Sequence, residues 1–191
     1  MPRSGLSADS VTRTAAALAD DVGFDHLSMG QLADRLGVKT PSLYKHVSSQ
    51  ADLAHRIAAL AVDELADTIR DATQGKAGPD ALTAGAWAMR TWVQDHPGRY
   101  AAGNAATVST TDPGDPLRAA TERLLASWSA MLDGYRLDPA HEIHALRTLR
   151  SLLHGFSTLE SAGGFQIDTD VEATFTWMIT FLDQGLTRLR T

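Results

Sequence analysis

Apolar residues recur at helical spacing along nearly the whole chain, and no stretch alternates in the two-residue rhythm of a strand. The pattern predicts an all-α protein. Ser7 caps a first helix running to about Val22, with Val11, Ala15, Leu18, Ala19 and Val22 on its inner side. Gly23 ends it, and Phe24 and Leu27 return to the core. Ser28 with Gln31 has capping-box spacing and opens a second helix whose Leu32 and Leu36 face inward. Gly37 supplies a sharp turn and Val38 plugs it. Thr40 caps a third helix with Pro41 at its first position, and Leu43 and Val47 are its buried residues. Ser49 with Asp52 forms another capping box. It starts a long fourth helix to about Ala72, through Leu53, Ile57, Leu60, Leu65 and Ile69.

Five further helices follow. Gly75–Pro79 is a break before a fifth helix over about 80–95, and His96-Pro97-Gly98 opens a short sixth. Ser109–Pro116 is the clearest loop and is expected to be mobile. A seventh helix covers about 117–135. Asp138-Pro139 opens an eighth reaching about Ser161, and Gly163-Gly164 breaks it. Asp168 or Thr169 opens a ninth, ending near Arg190. The expected division is an N-terminal three-helix unit with a helix-turn-helix over residues 1–50, and a C-terminal helical bundle over 51–191.

Composition narrows the function. The chain has 191 residues, 43% of them apolar, and no cysteine, so disulfides and thiolate chemistry are excluded. No apolar run reaches the roughly 18 residues of a membrane span, and the N-terminus does not read as a signal peptide. A cytoplasmic protein is expected, with no membrane partner. The net charge of −6 is unevenly spread. Residues 1–56 hold six Lys/Arg and six Asp/Glu, so the acidity lies in the remainder. The neutral part can approach DNA. The local placement of Arg3, Arg13, Lys39 and Lys45 then decides the matter, and so few cations imply modest non-specific affinity.

Residues 28–47 carry the candidate chemistry. Two short helices joined at Gly37 form a helix-turn-helix, in which the second helix enters the major groove. On that helix Thr40 and Ser42 offer hydroxyls to base edges, and Lys39 reaches a guanine edge or a phosphate. Tyr44 and Lys45 reach phosphates, with His46 beside them. Ser7, Ser10, Thr12, Ser28 and Ser49, at other helix N-termini, can present hydroxyls and amides to phosphates. Each such hydroxyl alone can equally be a simple helix cap.

Enzymatic readings find little support. His141-Glu142-Ile143-His144 lacks the spacing of a zinc-protease helix, so no metal is expected. No nucleotide fingerprint or nucleophile elbow occurs, and neither a cofactor nor a catalytic residue is proposed. Asp20-Asp21 and Asp168/Asp170 read as solvated acids at helix ends. An architectural DNA-binding protein without a ligand, and a helical bundle whose N-terminal unit is inert, are the competing readings.

The span from Ala33 to Leu53, ADRLGVKTPSLYKHVSSQADL, resembles the DNA-binding domain of the TetR family of one-component regulators, and the likeness covers about residues 8–56. The resemblance implies a recognition helix over 40–46, with Lys39, Thr40, Pro41, Ser42, Tyr44, Lys45 and His46 at contact positions. It also places Thr12 and Ser28 on phosphate. Gln50 stands where many members carry a phosphate-binding lysine, so the charge is absent and only an amide donor remains. Arg147–Phe165, RTLRSLLHGFSTLESAGGF, resembles a C-terminal domain type with a His-Gly pair before a Gly-Gly-Phe loop.

By that resemblance the eighth and ninth helices pair with their copies in a homodimer. Leu149, Leu153 and Phe156 on one, and Phe175, Met178, Ile179, Leu182 and Leu186 on the other, form stripes wide enough to serve as that interface. The alternative is that both stripes are internal core. The family usually takes a small inducer between the fifth to eighth helices. Trp87, Trp92, Tyr100, Trp128, Met131 and Tyr135 would suit an apolar one, although they serve equally as ordinary core. His154 is either a donor to that ligand or a satisfied core or interface histidine. The implied function is a ligand-responsive repressor that binds a pseudo-palindromic operator on double-stranded DNA.

Overall fold

The computed structural model describes residues 6–109 and 111–189. Among them are nine α-helices: α1 (Ala8–Val22), α2 (Met29–Leu36), α3 (Thr40–Leu43), α4 (Gln50–Thr73), α5 (Pro79–Asp95), α6 (Pro97–Ala105), α7 (Pro116–Asp133), α8 (Pro139–Ser161) and α9 (Val171–Arg188). A short 3-10 turn over Phe24–His26 joins α1 to α2. Arg3 lies outside the described residues.

The chain forms two compact units: Met1–Glu64 with Asp95–Glu122, and Leu65–Gln94 with Arg123–Thr191. This grouping differs from a division at residue 50, because α6 packs with the N-terminal helices.

In the first unit, Val11, Ala15, Leu18 and Ala19 of α1 meet Leu32, Leu43, Val47, Leu53 and Ile57, with Ala102 of α6 closing the cluster. The α6 contact is a backbone one. A Cβ on Gly98 would stand 2.0 Å from the Ala19 carbonyl oxygen, so only glycine fits. The Ser109–Pro116 loop is anchored at both ends. Asp115, 3% exposed, accepts hydrogen bonds from the Ser109 amide (2.7 Å), the Leu117 amide (2.9 Å) and His55 Nε2 of α4 (2.7 Å). It thereby caps α7 and ties the loop to α4.

In the second unit, Phe175 of α9 packs edge-on against Trp87 of α5 and Phe156 of α8, with ring centroids 5.0 and 4.9 Å away. The Arg90 guanidinium lies over the same rings and forms a bidentate pair with Glu160 of α8, at 2.9 and 2.6 Å. Its side chain is only 5% exposed. A planar fork matched to a carboxylate and stacked on aromatic faces suits burial in a way lysine does not. The turn after α7 crosses the turn before α5 so closely that a Cβ on Gly134 would stand 2.1 Å from the Gly78 nitrogen.

This packing corrects the assignment of the two terminal stripes. Leu149, Leu153, Phe156, Phe175, Ile179, Leu182 and Leu186 are all buried within one chain. Only Met178 is half-exposed. Trp87 and Arg90 of α5 supply partners for Phe156 and Phe175 within the same chain. The start of α9 is also later than expected: Asp170 caps it through the Glu172 amide.

Asp115 makes acid stability testable. The Ser109 amide first, then His55 and the Leu117 amide, hold its carboxyl at about 2, below the ordinary 3.8. A carboxyl depressed by folding stabilises the folded state above its unfolded value, and that contribution is lost as pH falls through the folded one. Chemical-denaturation curves between pH 5 and about 2 should therefore lose stability less steeply for Asp115→Asn than for the wild type. Parallel curves would show that these hydrogen bonds do not hold the loop in solution.

Candidate nucleic-acid interface

The candidate interface starts from two caps and one turn. Ser28 Oγ accepts the Gln31 amide at 3.3 Å, and Gln31 Oε1 accepts the Ser28 amide at 3.0 Å, which is the expected capping box. Gly37 has φ 67° and ψ 31°. Its amide bonds the Asp34 carbonyl, and the Val38 amide bonds the Ala33 carbonyl at 3.0 Å. This pairing satisfies the last carbonyls of α2 and reverses the chain.

The third helix is shorter than the expected 40–46. Regular α-geometry covers Thr40–Leu43, and residues 44–46 form a turn closed by the His46 and Val47 amides on the Leu43 carbonyl. Lys39, not Thr40, occupies the N-cap, without a side-chain cap bond. Thr40 is therefore the first helical residue and Pro41 the second. The Thr40 hydroxyl is free of the capping role expected for it.

Leu43 and Val47 are buried, and the other side of α3 faces out. Lys39, Pro41 and Lys45 are exposed, Tyr44 is 51% exposed, and Thr40, Ser42 and His46 are half-buried. None of these seven residues is fully buried. The other candidates sit differently. Thr12 is 8% exposed and donates its hydroxyl proton to the Ala8 carbonyl at 2.8 Å, so it is a helix-interior threonine. Ser28 is exposed, but its hydroxyl donates to Gln31 Oε1. The first-turn amides of α2 that the box leaves unused are its better offering to an anion. Gln50 Nε2 donates to the Leu27 carbonyl at 3.1 Å, tying the start of α4 to the residue before α2. One of its two amide protons thus serves the fold.

At the start of α4, Ser49 Oγ accepts the Asp52 amide at 3.0 Å, as expected. The reciprocal bond is shifted by one residue: Asp52 accepts the Ser48 amide at 2.7 Å, and Arg56 Nε at 2.8 Å. Burial raises the Asp52 carboxyl, but the Ser48 amide and Arg56 outweigh it and hold it below the ordinary carboxylate value.

Most cations of this region are partnered. Arg13 pairs with Asp9, Arg35 with Asp21 and Arg56 with Asp52. Lys39 and Lys45 make no ion pair among the described residues. Among the described residues of this region, the positive charge without an internal partner thus lies just before and just after α3.

The candidate ligand residues do not form one cluster. Trp92, Trp128, Met131 and Tyr135 are buried in the second unit, where Trp87 and His154 are half-buried. Tyr100 belongs to the first unit. Trp87 packs against Arg90 and Phe175, and the Tyr135 hydroxyl donates to Asp183 at 2.6 Å. Burial first, then Asp183, pushes that phenol far above its ordinary pKa. Trp128 Nε1 is buried without a hydrogen-bond partner among the described residues. A cleft of about 290 Å³ lies between the end of α7 and the start of α8, lined by Leu132, Asp133, Arg136, Glu142, Ile143 and Leu146 among others. It includes none of the candidates. Among the described residues no group of three His, Cys, Asp or Glu could hold a metal, and no helix is long and apolar enough to cross a membrane.

Known proteins account for this arrangement. The family described as bacterial regulatory proteins of the tetR family matches residues 11–57, and the tetracyclin repressor-like C-terminal domain matches residues 82–182. An uncharacterized HTH-type transcriptional regulator of Mycobacterium tuberculosis is 36% identical over 186 residues, covering 97% of this chain and 84% of its own. Among solved structures, a TetR variant of Acinetobacter baumannii in complex with minocycline has a TM-score of 0.70 at 24% identity, covering 98% of this chain and 99% of its own. BioQ with its double-stranded DNA operator has a TM-score of 0.67 at 21% identity, covering 96% and 99%. With α3 presented outward by the Gly37 turn, and with both halves of the chain matched, the protein belongs to the TetR family of DNA-binding transcriptional regulators and is not an enzyme.

Proposed function

We propose that this regulator is a ligand-responsive repressor that binds a pseudo-palindromic operator as a homodimer and is released by a small, mostly apolar molecule. The observation that carries the reading is the outward face of α3, with Lys39 and Lys45 free of internal partners beside Tyr44. The similar BioQ was solved with its operator, and the similar TetR with minocycline; both support the analogy. By this reading Thr40 and Ser42 take base edges, and Lys39, Tyr44 and Lys45 take phosphates. Ser28 brings the α2 amides to the backbone, while Thr12 acts through packing alone. Gln50 retains one amide proton for a phosphate.

Dimerisation by α8 and α9 uses a different face from the buried stripes. Trp177 and Phe181 are 68% and 62% exposed and stack at 5.5 Å with their planes 13° apart. Leu159 on α8 is 53% exposed. Large exposed apolar groups of this size mark an association surface, and a two-fold axis through it would give two symmetric heads. The ligand would bind in the second unit, where the buried Trp128 N–H has no hydrogen-bond partner among the described residues. It acts by preferring a state whose heads are wrongly spaced for successive major grooves. The fourth helix, one continuous segment from Gln50 to Thr73 that starts in the first unit and ends in the second, is the lever.

Selection of bound sequences from a random DNA pool should return a two-fold symmetric site, and Tyr44→Ala with Lys45→Ala should abolish its binding. With two unpartnered lysines per head, affinity for that site should fall with log salt at a slope of about −4. A flat sequence preference with a slope of about −8 or steeper would instead indicate an architectural protein. In sedimentation analysis, Trp177→Ser with Phe181→Ser should convert dimer to monomer; an unchanged dimer moves the interface elsewhere. A screen of apolar and aromatic small molecules should find at least one that raises the melting temperature and weakens operator binding. Equal operator affinity with and without every ligand that demonstrably binds would sink the inducer reading.

A further inference from the structure

The two acids that close α1, Asp20 and Asp21, are not merely solvated. The sixth helix has no N-terminal cap of its own: His96 holds the N-cap position and its side chain makes no cap hydrogen bond. The acceptor comes from another helix. Asp20 Oδ1 accepts the amide of Arg99, the third residue of α6, at 2.8 Å. This is the amide that a capping side chain ordinarily takes. Asp20 Oδ2 lies 3.0 Å from Arg99 Nε and 3.3 Å from His96 Nδ1. The Arg99 guanidinium extends to Glu64 of α4 at 3.1 Å. Asp20 is 12% exposed and Arg99 17%, so solvent screens this cluster far less than a surface pair. Next to it runs the Gly98–Ala19 backbone contact, which admits no side chain.

Asp21, the next residue, pairs with Arg35 in the last turn of α2, ahead of the Gly37 turn. Consecutive carboxylates at the end of α1 thus grip α6 on one side and α2 on the other. Their strengths differ. Asp21 and Arg35 are about half exposed, and such a pair contributes little. Asp20 combines a helix cap, the Arg99 guanidinium, the neighbouring His96 ring and a backbone seam. The connection from α5 to α6 is one of the places, with α4 and α7, where the chain passes from one unit to the other.

We propose that Asp20 is a positioning residue for DNA reading. It touches no DNA. By capping α6 it fixes the register of the α1–α6 seam, and the end of α1 in turn sets the direction of α2, the Gly37 turn and α3. The inference rests on the DNA-binding reading and adds a second entry into the reading unit, beside the fourth helix.

The test uses the full-length protein and the operator obtained from the random pool. Asp20→Ala should weaken operator binding about tenfold, whereas Asp20→Asn, which keeps an acceptor for the Arg99 amide, should stay within about threefold. Asp21→Asn should change it by less than about twofold. In the wild type, operator binding should slow hydrogen exchange of the α6 amides around Arg99 about tenfold, and Asp20→Ala should abolish that response. A residue that only stabilises the fold would lower stability without uncoupling α6 from DNA. Operator affinity within twofold of wild type for Asp20→Ala, or α6 exchange in the wild type indifferent to operator, overturns the proposal. If Asp20→Ala does not fold, the wild-type exchange measurement decides alone. A wild type that selects no sequence from the pool overturns the DNA-binding reading itself, and this inference with it.

Discussion

A four-residue helix cannot hold itself in water, since isolated helices need about 12–15 residues to be even marginally stable. The direction of α3 is therefore set from behind, by burial of Leu43 and Val47 against α1, α2 and α4. Leu43 is wholly buried, and loss of such a side chain costs about 2–5 kcal/mol. The reading surface inherits its geometry from that contact. Thr40, Ser42, Tyr44 and Lys45 point outward because Leu43 and Val47 point in. Everything that fixes the α1 platform fixes the reading helix as well, including the Gly98 seam, the Asp20 cap and the Gln50–Leu27 bond.

The same platform explains an economy of charge. Arg13, Arg35 and Arg56 are held by carboxylates on their own or neighbouring helices. Partnered guanidiniums organise the platform, and the two lysines that flank α3 are left to face a polyanion. Under the proposed function, specific recognition would rest on hydroxyls, amides and the doubling of sites by symmetry, rather than on a broad positive field. The net charge of −6 is compatible with DNA binding because what matters is which cations have no internal partner.

What could be read in the sequence follows the range of the interaction. The Ser28–Gln31 box and the Gly37 turn involve residues three to five apart, and both stand where expected. So does the inward pair of Leu43 and Val47, four apart. Signals shared by adjacent residues slipped by one: the N-cap fell on Lys39 instead of Thr40, and the Asp52 bond reached Ser48. Contacts between distant segments were not legible. Periodicity shows that Phe175 and Leu149 are buried but not by what, so stripes that are buried within one chain looked available to a second subunit. Asp20 looked solvated because its partner is 79 residues away. One local hint existed. A helix opening His-Pro-Gly, with no capping side chain, requires an acceptor from elsewhere.

The correction to the stripes also separates two tasks that a single apolar face would have confused. The inner face of α9 is committed to Trp87, Phe156 and the caged Arg90. Its position therefore depends on α5, not on a partner. A buried ion pair of this kind contributes little net stability over a well-packed apolar group, yet removing one member leaves an uncompensated charge. Such a pair penalises any register of α5, α8 and α9 other than its own. Trp177 and Phe181 on the opposite face are then presented at a fixed angle before any association occurs. A dimer built on that face would have its symmetry axis set by the interior of each subunit. The spacing of its two reading helices, on which operator recognition depends, would follow from the packing of single chains.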